Sequence, residues 1–263
     1  MGNLARSIFL DDQYRPRDDI ERFVVTKFDE IKKYHHLAHT LSKDWPAKRD
    51  IDAITDKSSG QFVYAATVMR FIQYSSGSPF HSLLSVCGVT PASDHNPLSQ
   101  LDALYSHIFS KARNLQTVKL ILGIRFISEL AQTPVTKYRD LLELVGYDPI
   151  EVRSHFSDLA SIVNPDRYFG WLDFFHASLS DYLKDKSRSG IYYIDTDEGA
   201  AELSSICLGK FHDSGASCNH ICLNPKRLTA SRFAESHFGY PPICKRANYD
   251  AFRISVERLD TAI

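Results

Sequence analysis

The sequence predicts a mostly α fold: a small helical domain, then a second helical domain that carries one short β-hairpin. Three observations predict it. Apolar residues recur at three- and four-residue spacing from Ile20 onward, to about Leu208. The aromatic run from Tyr168 to Phe175 suits paired strands. Between the two helical stretches, Cys87 to Pro97 (CGVTPASDHNP) is rich in Pro, Ser, Asn and Asp and has no period, which marks a domain boundary.

Ser7 to Asp12 reads as a short strand, apolar Ile8-Phe9-Leu10 ending in Asp11-Asp12, after which Pro16 breaks the chain. Asp18 then serves as an N-cap, with Glu21 three residues on, for a helix whose apolar face is Ile20, Phe23, Val24, Phe28 and Ile31. Trp45-Pro46 ends the following loop, and Ile51 and Ile54 belong to a short helix. Ser58-Ser59 cap a longer one in which Phe62, Ala65, Ala66, Met69 and Ile72 face the core, and Ser75 to Pro79 stops it.

Past the boundary, Leu101, Leu104, Tyr105, Ile108 and Phe109 mark one amphipathic helix. Val118 to Leu130 is apolar on nearly all sides, as a central helix is. Thr136 to Val145, closed by Gly146, and a helix from about Ile150 to Ala160 after Pro149 make a helix-turn-helix. Ser161-Ile162-Val163, a turn at Asn164-Pro165-Asp166, and Tyr168 to Phe175 form the hairpin behind it. Together these predict a winged helix. His176 ends the hairpin, Ala177 to Lys186 returns to helix, and Arg188-Ser189-Gly190 is a turn. One further helix runs from Asp195 to about Leu208, and the tail to Ile263 has no clear period. The predicted organisation is 1–12, the end of a preceding domain; 13–90, helical; 98–195, winged helix; and 196–263, a helical or irregular tail.

With 263 residues, 43 % of them hydrophobic, the chain can bury a real core. A net charge of -1 creates no global field toward nucleic acid or anionic membrane, so neither is an expected partner. Five cysteines, an odd number with four in the last quarter, do not make a secreted disulfide framework, and reduced thiols inside a cell fit better. Met1 to Ser7 lacks a basic segment followed by an apolar run, and the longest apolar stretches fall short of the ~18 residues a membrane span needs. The expected location is the cytoplasm.

No complete phosphate-binding or catalytic motif is present, so the chain alone reads as a regulatory or interaction module without catalytic residues. Leu208-Gly209-Lys210-Phe211 has a Gly-Lys pair but lacks the earlier glycine and the hydroxyl of a phosphate loop. Asp11-Asp12 resembles a strand-end acid pair that holds magnesium, without a phosphate loop to serve. Cys218-Asn219-His220-Ile221-Cys222, with His212, His237 and Cys244, supplies enough zinc ligands on paper. Its spacing lacks paired knuckles, so ordinary thiols are the simpler reading and no metal is expected. His35-His36 and His39 read as surface residues in a basic stretch. The most informative string is FFHASLSDYL, Phe174 to Leu183. Its simplest reading is a core motif with Leu179, Tyr182 and Leu183 packed inward.

That string resembles the winged-helix signature of NACHT-domain proteins, signalling NTPases related to animal Nod-like receptors and abundant in fungi. The order of strings in the fungal branch is similar throughout: Leu10 to Ile20, Trp45-Pro46, SSGQFVYAATVMRFI from Ser58, PLSQLDALY from Pro97, then HASLSDYL and RSGIYYID. Residues 8 to about 208 are covered. The resemblance implies that the phosphate loop, magnesium acids and arginine sensor lie upstream of Met1, so the chain is a fragment that hydrolyses nothing by itself. It implies a nucleotide contact at His176, which by motif position reaches the β-phosphate of bound ADP and holds a closed, inactive arrangement. ADP or ATP is then the cofactor of the intact protein. The implied partners are a nucleotide-binding domain of the same or a related protein and further copies in an oligomer, in self/non-self or cell-death signalling. Two alternatives stand beside this reading. One is a DNA-binding winged helix whose recognition helix, Ile150 to Ala160, carries Glu151 and Asp158 against Arg153 and His155. The other is a freestanding adaptor.

Overall fold

A computed structural model describes residues 15–91, 98–130, 135–166, 168, 170–201 and 203. Among them the chain is mostly helical, with one two-stranded antiparallel sheet, and it divides between Ile108 and Phe109 into two compact units.

The first unit holds α1 (Pro16–Tyr34), α2 (Lys48–Ser58), α3 (Phe62–Gln73), α4 (Pro79–Cys87) and most of α5 (Ser99–Phe109). Ile20, Val24, Phe28 and Ile31 of α1 meet Ile54 of α2 and Ala65, Val68, Met69 and Ile72 of α3 in one core. Trp45 seals it edge-on to Phe28, with ring centres 5.1 Å apart. Three expected boundaries change here. Pro16 does not break the chain but opens α1 at its first position, where a missing N–H costs nothing, so Asp18 and Asp19 lie in the first turn instead of capping it. Pro79 likewise opens α4, a helix the periodicity did not reveal. Ser58 closes α2, its hydroxyl donating to Ile54 O at 2.7 Å. Ser59 and Gly60 then turn at positive φ, which leaves Gln61 at the N-cap of α3.

The division at the last residue of α5 differs from the boundary expected within Cys87–Pro97, of which 92–97 lie outside the described residues. The reason is visible at His107, whose ring lies edge-on to Phe71 at 5.7 Å and 2.8 Å from Ser85 Oγ, tying α5 to α3 and α4. Lys57 adds a cross-tie by donating to Cys87 O and Val89 O, the end of α4.

The second unit holds α6 (Leu115–Leu130), α7 (Val135–Leu144), α8 (Pro149–His155), β1 (Val163–Pro165), β2 (Leu172–Phe174), α9 (Ala177–Lys184) and α10 (Lys186–Ser189). Helix α6 is buried nearly all round, as a central helix should be. Gly146, at φ 91°, ends α7: Tyr147 N–H donates to Leu142 O and Gly146 N–H to Glu143 O. Asp148 then caps α8, accepting from Ile150 and Glu151 N–H, while Glu151 reaches back to Asp148 N–H.

Several details depart from expectation. The helix expected over Ala177 to Lys186 ends at Lys184, and Asp185 then caps α10, so Arg188 and Ser189 are helical and only Gly190 turns. Helix α8 stops at His155. Phe156 leaves helical geometry as it enters the core, and Ser157–Leu159 continues only as a 3-10 turn. Asn164 and Pro165 belong to β1 and not to the turn. The register pairs Val163 with Phe174 and Pro165 with Leu172, and the turn begins at Asp166, whose N–H donates to Trp171 O. Gly170 (φ 68°) presses this turn onto α7 and α8: a Cβ there would meet Leu142 Cδ1 at 3.1 Å and Pro149 Cα and Val152 Cγ2 at 3.5 Å. Residues 196–201 are helical again. The strand expected at 7–12 and the tail at 209–263 lie outside the described residues.

Candidate functional site

His176 stands in the two-residue corner between β2 and α9, extended at φ −152° and ψ 143°, and is the N-cap of α9. Its Nδ1 lies 3.1 Å from Ser178 N and 2.7 Å from Ser178 Oγ. A backbone N–H can only donate, so Nδ1 is the acceptor and the neutral ring carries its proton on Nε2. The residue is exposed. Beneath it Leu179, Tyr182 and Leu183 are buried, which is the core motif the sequence suggested, with the histidine at its polar rim. Ser178 is only 8 % exposed and shares Nδ1 with its own N–H, so the short Ser–His contact is a helix cap in geometry and not a presented nucleophile.

The corner is framed by a group that pattern reading missed. Arg125, 11 % exposed on the apolar helix α6, donates from Nε to Leu172 O at 3.1 Å. Its guanidinium lies 4.0 Å above the Trp171 ring and 5.6 Å from Phe174. Nη1 is 3.3 Å from Glu129 Oε2, a charge contact at an angle outside a hydrogen bond. Glu129 is also 3.8 Å from Lys184 Nζ of α9, and that ammonium rests 4.4 Å over Phe126. Tyr138 stacks edge-on to Trp171, and burial pushes its hydroxyl well above the usual tyrosine range, against the opposing pull of Arg125. A lone arginine inside LILGIRFISEL was the sequence signal, a charge where periodicity demands an apolar side chain.

The other candidates fall elsewhere. His36 and His39 are exposed as expected, but His35 is not a surface residue. It is 9 % exposed, its Nδ1 accepting from Leu37 N–H at 3.1 Å and its Nε2 3.2 Å from Ser75 O. Burial depresses its pKa, the bond to Ser75 O opposes that, and the charge of His36, whose ring lies 4.4 Å away, lowers it further. The polar stretch hid it because its two bonds, to backbone forty residues apart in one case, leave no periodic mark. In the stretch expected as a recognition helix, Glu151 is used in the cap of α8, Asp158 in the 3-10 turn beyond it pairs with Arg113 at 3.1 Å, and Ile150 is 76 % exposed. Asp11, Asp12, Leu208 to Phe211, His212, Cys218, His220, Cys222, His237 and Cys244 lie outside the described residues. Among the described residues no group of three or more His, Cys, Asp or Glu is placed to hold a metal ion, and no helix is long and apolar enough to cross a membrane.

No protein-family model, curated protein or solved structure matches the chain.

Proposed function

We propose that this chain is the helical and winged-helix portion of a NACHT-type signalling NTPase, a regulatory part that performs no catalysis alone. In this reading α7, α8 and the β1–β2 hairpin are the winged helix, and His176 contacts the β-phosphate of ADP held by a nucleotide-binding domain. The observation that carries it is the corner itself. An exposed imidazole, fixed as its Nε2–H tautomer by the α9 cap, is a donor ready for an anionic oxygen. The ordered strings from Leu10 to Asp195 that resemble the fungal branch point the same way. Partners are then the nucleotide-binding domain and, in the signalling state, further copies; ADP or ATP belongs to the intact protein, and self/non-self recognition or cell death is the process served.

DNA binding draws less support. Helix α8 is seven residues long, opens on an acidic capping box and presents an exposed Ile150 where phosphate contacts would be needed. Sequencing the native transcript through its 5′ end tests the proposal. An in-frame upstream Gly-x-x-x-x-Gly-Lys followed by Ser or Thr supports it. A transcript that starts at Met1 overturns the nucleotide switch and leaves the freestanding adaptor.

A further inference from the structure

Leu172 sits where the hairpin backbone does not bond across to β1. The ladder bonds fall at flanking positions, Asp166 N–H to Trp171 O at 2.6 Å and Phe175 N–H to Ile162 O at 3.2 Å. Its carbonyl therefore faces the open edge of a two-stranded sheet, and Leu172 is fully buried, so that oxygen needs a donor from elsewhere. Arg125 supplies it, stacking on Trp171 as it does so. One turn on along α6, Glu129 lies 3.3 Å from the same guanidinium and 3.8 Å from Lys184 of α9. Arg125 thus grips β2 directly while its neighbour Glu129 reaches α9, and His176 lies in the two-residue link between those elements.

We propose that Arg125 is a positioning residue for His176: by pinning the β2 arm of the corner to α6, beside Glu129 on the α9 arm, it holds the imidazole in one tautomer and one orientation, ready for an anionic oxygen. The inference rests on the reading of His176 as a nucleotide contact. Its physical content is preorganisation. A ring on a loose corner populates the competent geometry only part of the time, and its apparent affinity for a phosphate falls by that fraction. The charge on Arg125 is not what matters most. A lysine keeps the charge but has no planar fork to donate along Nε and stack at once.

Nuclear magnetic resonance on the full 263-residue chain tests this. The readouts are the imidazole nitrogen shifts of His176 and hydrogen exchange of the Ser178 amide, with the Leu122 amide of α6 as the control. Wild type should show Nδ1 as acceptor, Nε2 protonated and Ser178 protected. Arg125→Lys and Arg125→Met should both give mixed tautomers and Ser178 exchange faster by about tenfold, with Leu122 unchanged. Glu129→Gln, at a half-exposed side chain, releases only the α9 arm and should give about threefold, which keeps the test open if the Met variant does not fold. Unchanged His176 shifts and unchanged Ser178 exchange in the Lys and Gln variants overturn the proposal. So does loss of protection spread equally over Ser178 and Leu122, the mark of a merely structural arginine. A transcript starting at Met1 would defeat the nucleotide reading without touching these two readouts, so the two failures are distinguishable.

Discussion

Gly146 and Gly170 both hold positive φ in the second unit, 91° and 68°, yet they differ in what surrounds them, and that difference makes a quantitative test of how the hairpin sits on α7 and α8. At Gly146 an added methyl group meets nothing within 4 Å; at Gly170 it comes within 3.1 Å of Leu142 Cδ1. Gly146→Ala therefore carries only the conformational penalty of a left-handed residue, about 1–2 kcal/mol, partly offset by the lower entropy of the unfolded chain. Gly170→Ala adds an overpacking cost of about 1–3 kcal/mol, toward the lower end because the clashing atom is the tip of a leucine. The expected destabilisations are about 1 kcal/mol at Gly146 and about 2–3 kcal/mol at Gly170. Urea unfolding followed by Trp171 fluorescence reads them, in a Trp45→Phe background so that the second unit reports alone. The packing share should vanish with Leu142→Ala, which removes the clashing carbon, so the double-mutant cycle should return a coupling of about 1–2 kcal/mol. Equal losses at the two glycines, or a cycle that sums to zero, would refute the contact between the hairpin turn and α7.

Two further predictions follow from histidines. His35 is held neutral in the fold, its pKa lowered by burial, whereas in the unfolded chain it protonates near ~6.5. Its contribution is thus complete above that pH and is lost as pH falls through the lower folded value. The pH 7 to 5 decline in stability should flatten in His35→Gln, measured by thermal melts in matched buffers, and an unaltered slope would count against the buried ring. Replacing it by Ala leaves Ser75 O and Leu37 N–H unpaired and should cost about 1–3 kcal/mol. At the corner, His176→Ala removes a cap and should cost about 1 kcal/mol. His176→Asn restores the cap without the reach of Nε2, so recovery of stability in Asn, read by denaturation, separates capping from ligand contact.

Long-period features were legible and local punctuation was not. The five apolar positions named for α5 are all buried, and the all-round apolar stretch at Val118 to Leu130 is the central helix α6. Both follow from burial alone, which repeats every turn and so leaves a signal in sequence. Prolines misled, because Pro16 and Pro79 look like breaks on a string of letters although each opens a helix; the difference lies in whether an N–H is needed at that point, which only the hydrogen-bond ladder decides. His176 was legible as a motif, but its tautomer was not, since that depends on one acceptor geometry at Ser178. Arg125 escaped for the opposite reason: its partner carbonyl is 47 residues away and belongs to backbone, which carries no residue identity to recognise.

The chemistry of the corner also limits what His176 can do in the proposed switch. Its Nδ1 accepts the Ser178 N–H, which leaves Nε2–H as the group the ring offers a phosphate. A hydrogen bond from that group to an anionic acceptor contributes about 1.5–3 kcal/mol, or roughly 10- to 150-fold. Moving a two-state hinge from almost fully open to almost fully closed requires about 5.5 kcal/mol. His176 can therefore bias such an equilibrium but not set it alone, and the remaining energy has to come from other contacts that form only in the closed state. In the longer protein that the proposal implies, His176→Asn should then speed ADP release by no more than about two orders of magnitude while leaving nucleotide binding intact. Complete loss of ADP binding would mean that the imidazole does more than its geometry allows, and no change at all would mean that the phosphate lies elsewhere.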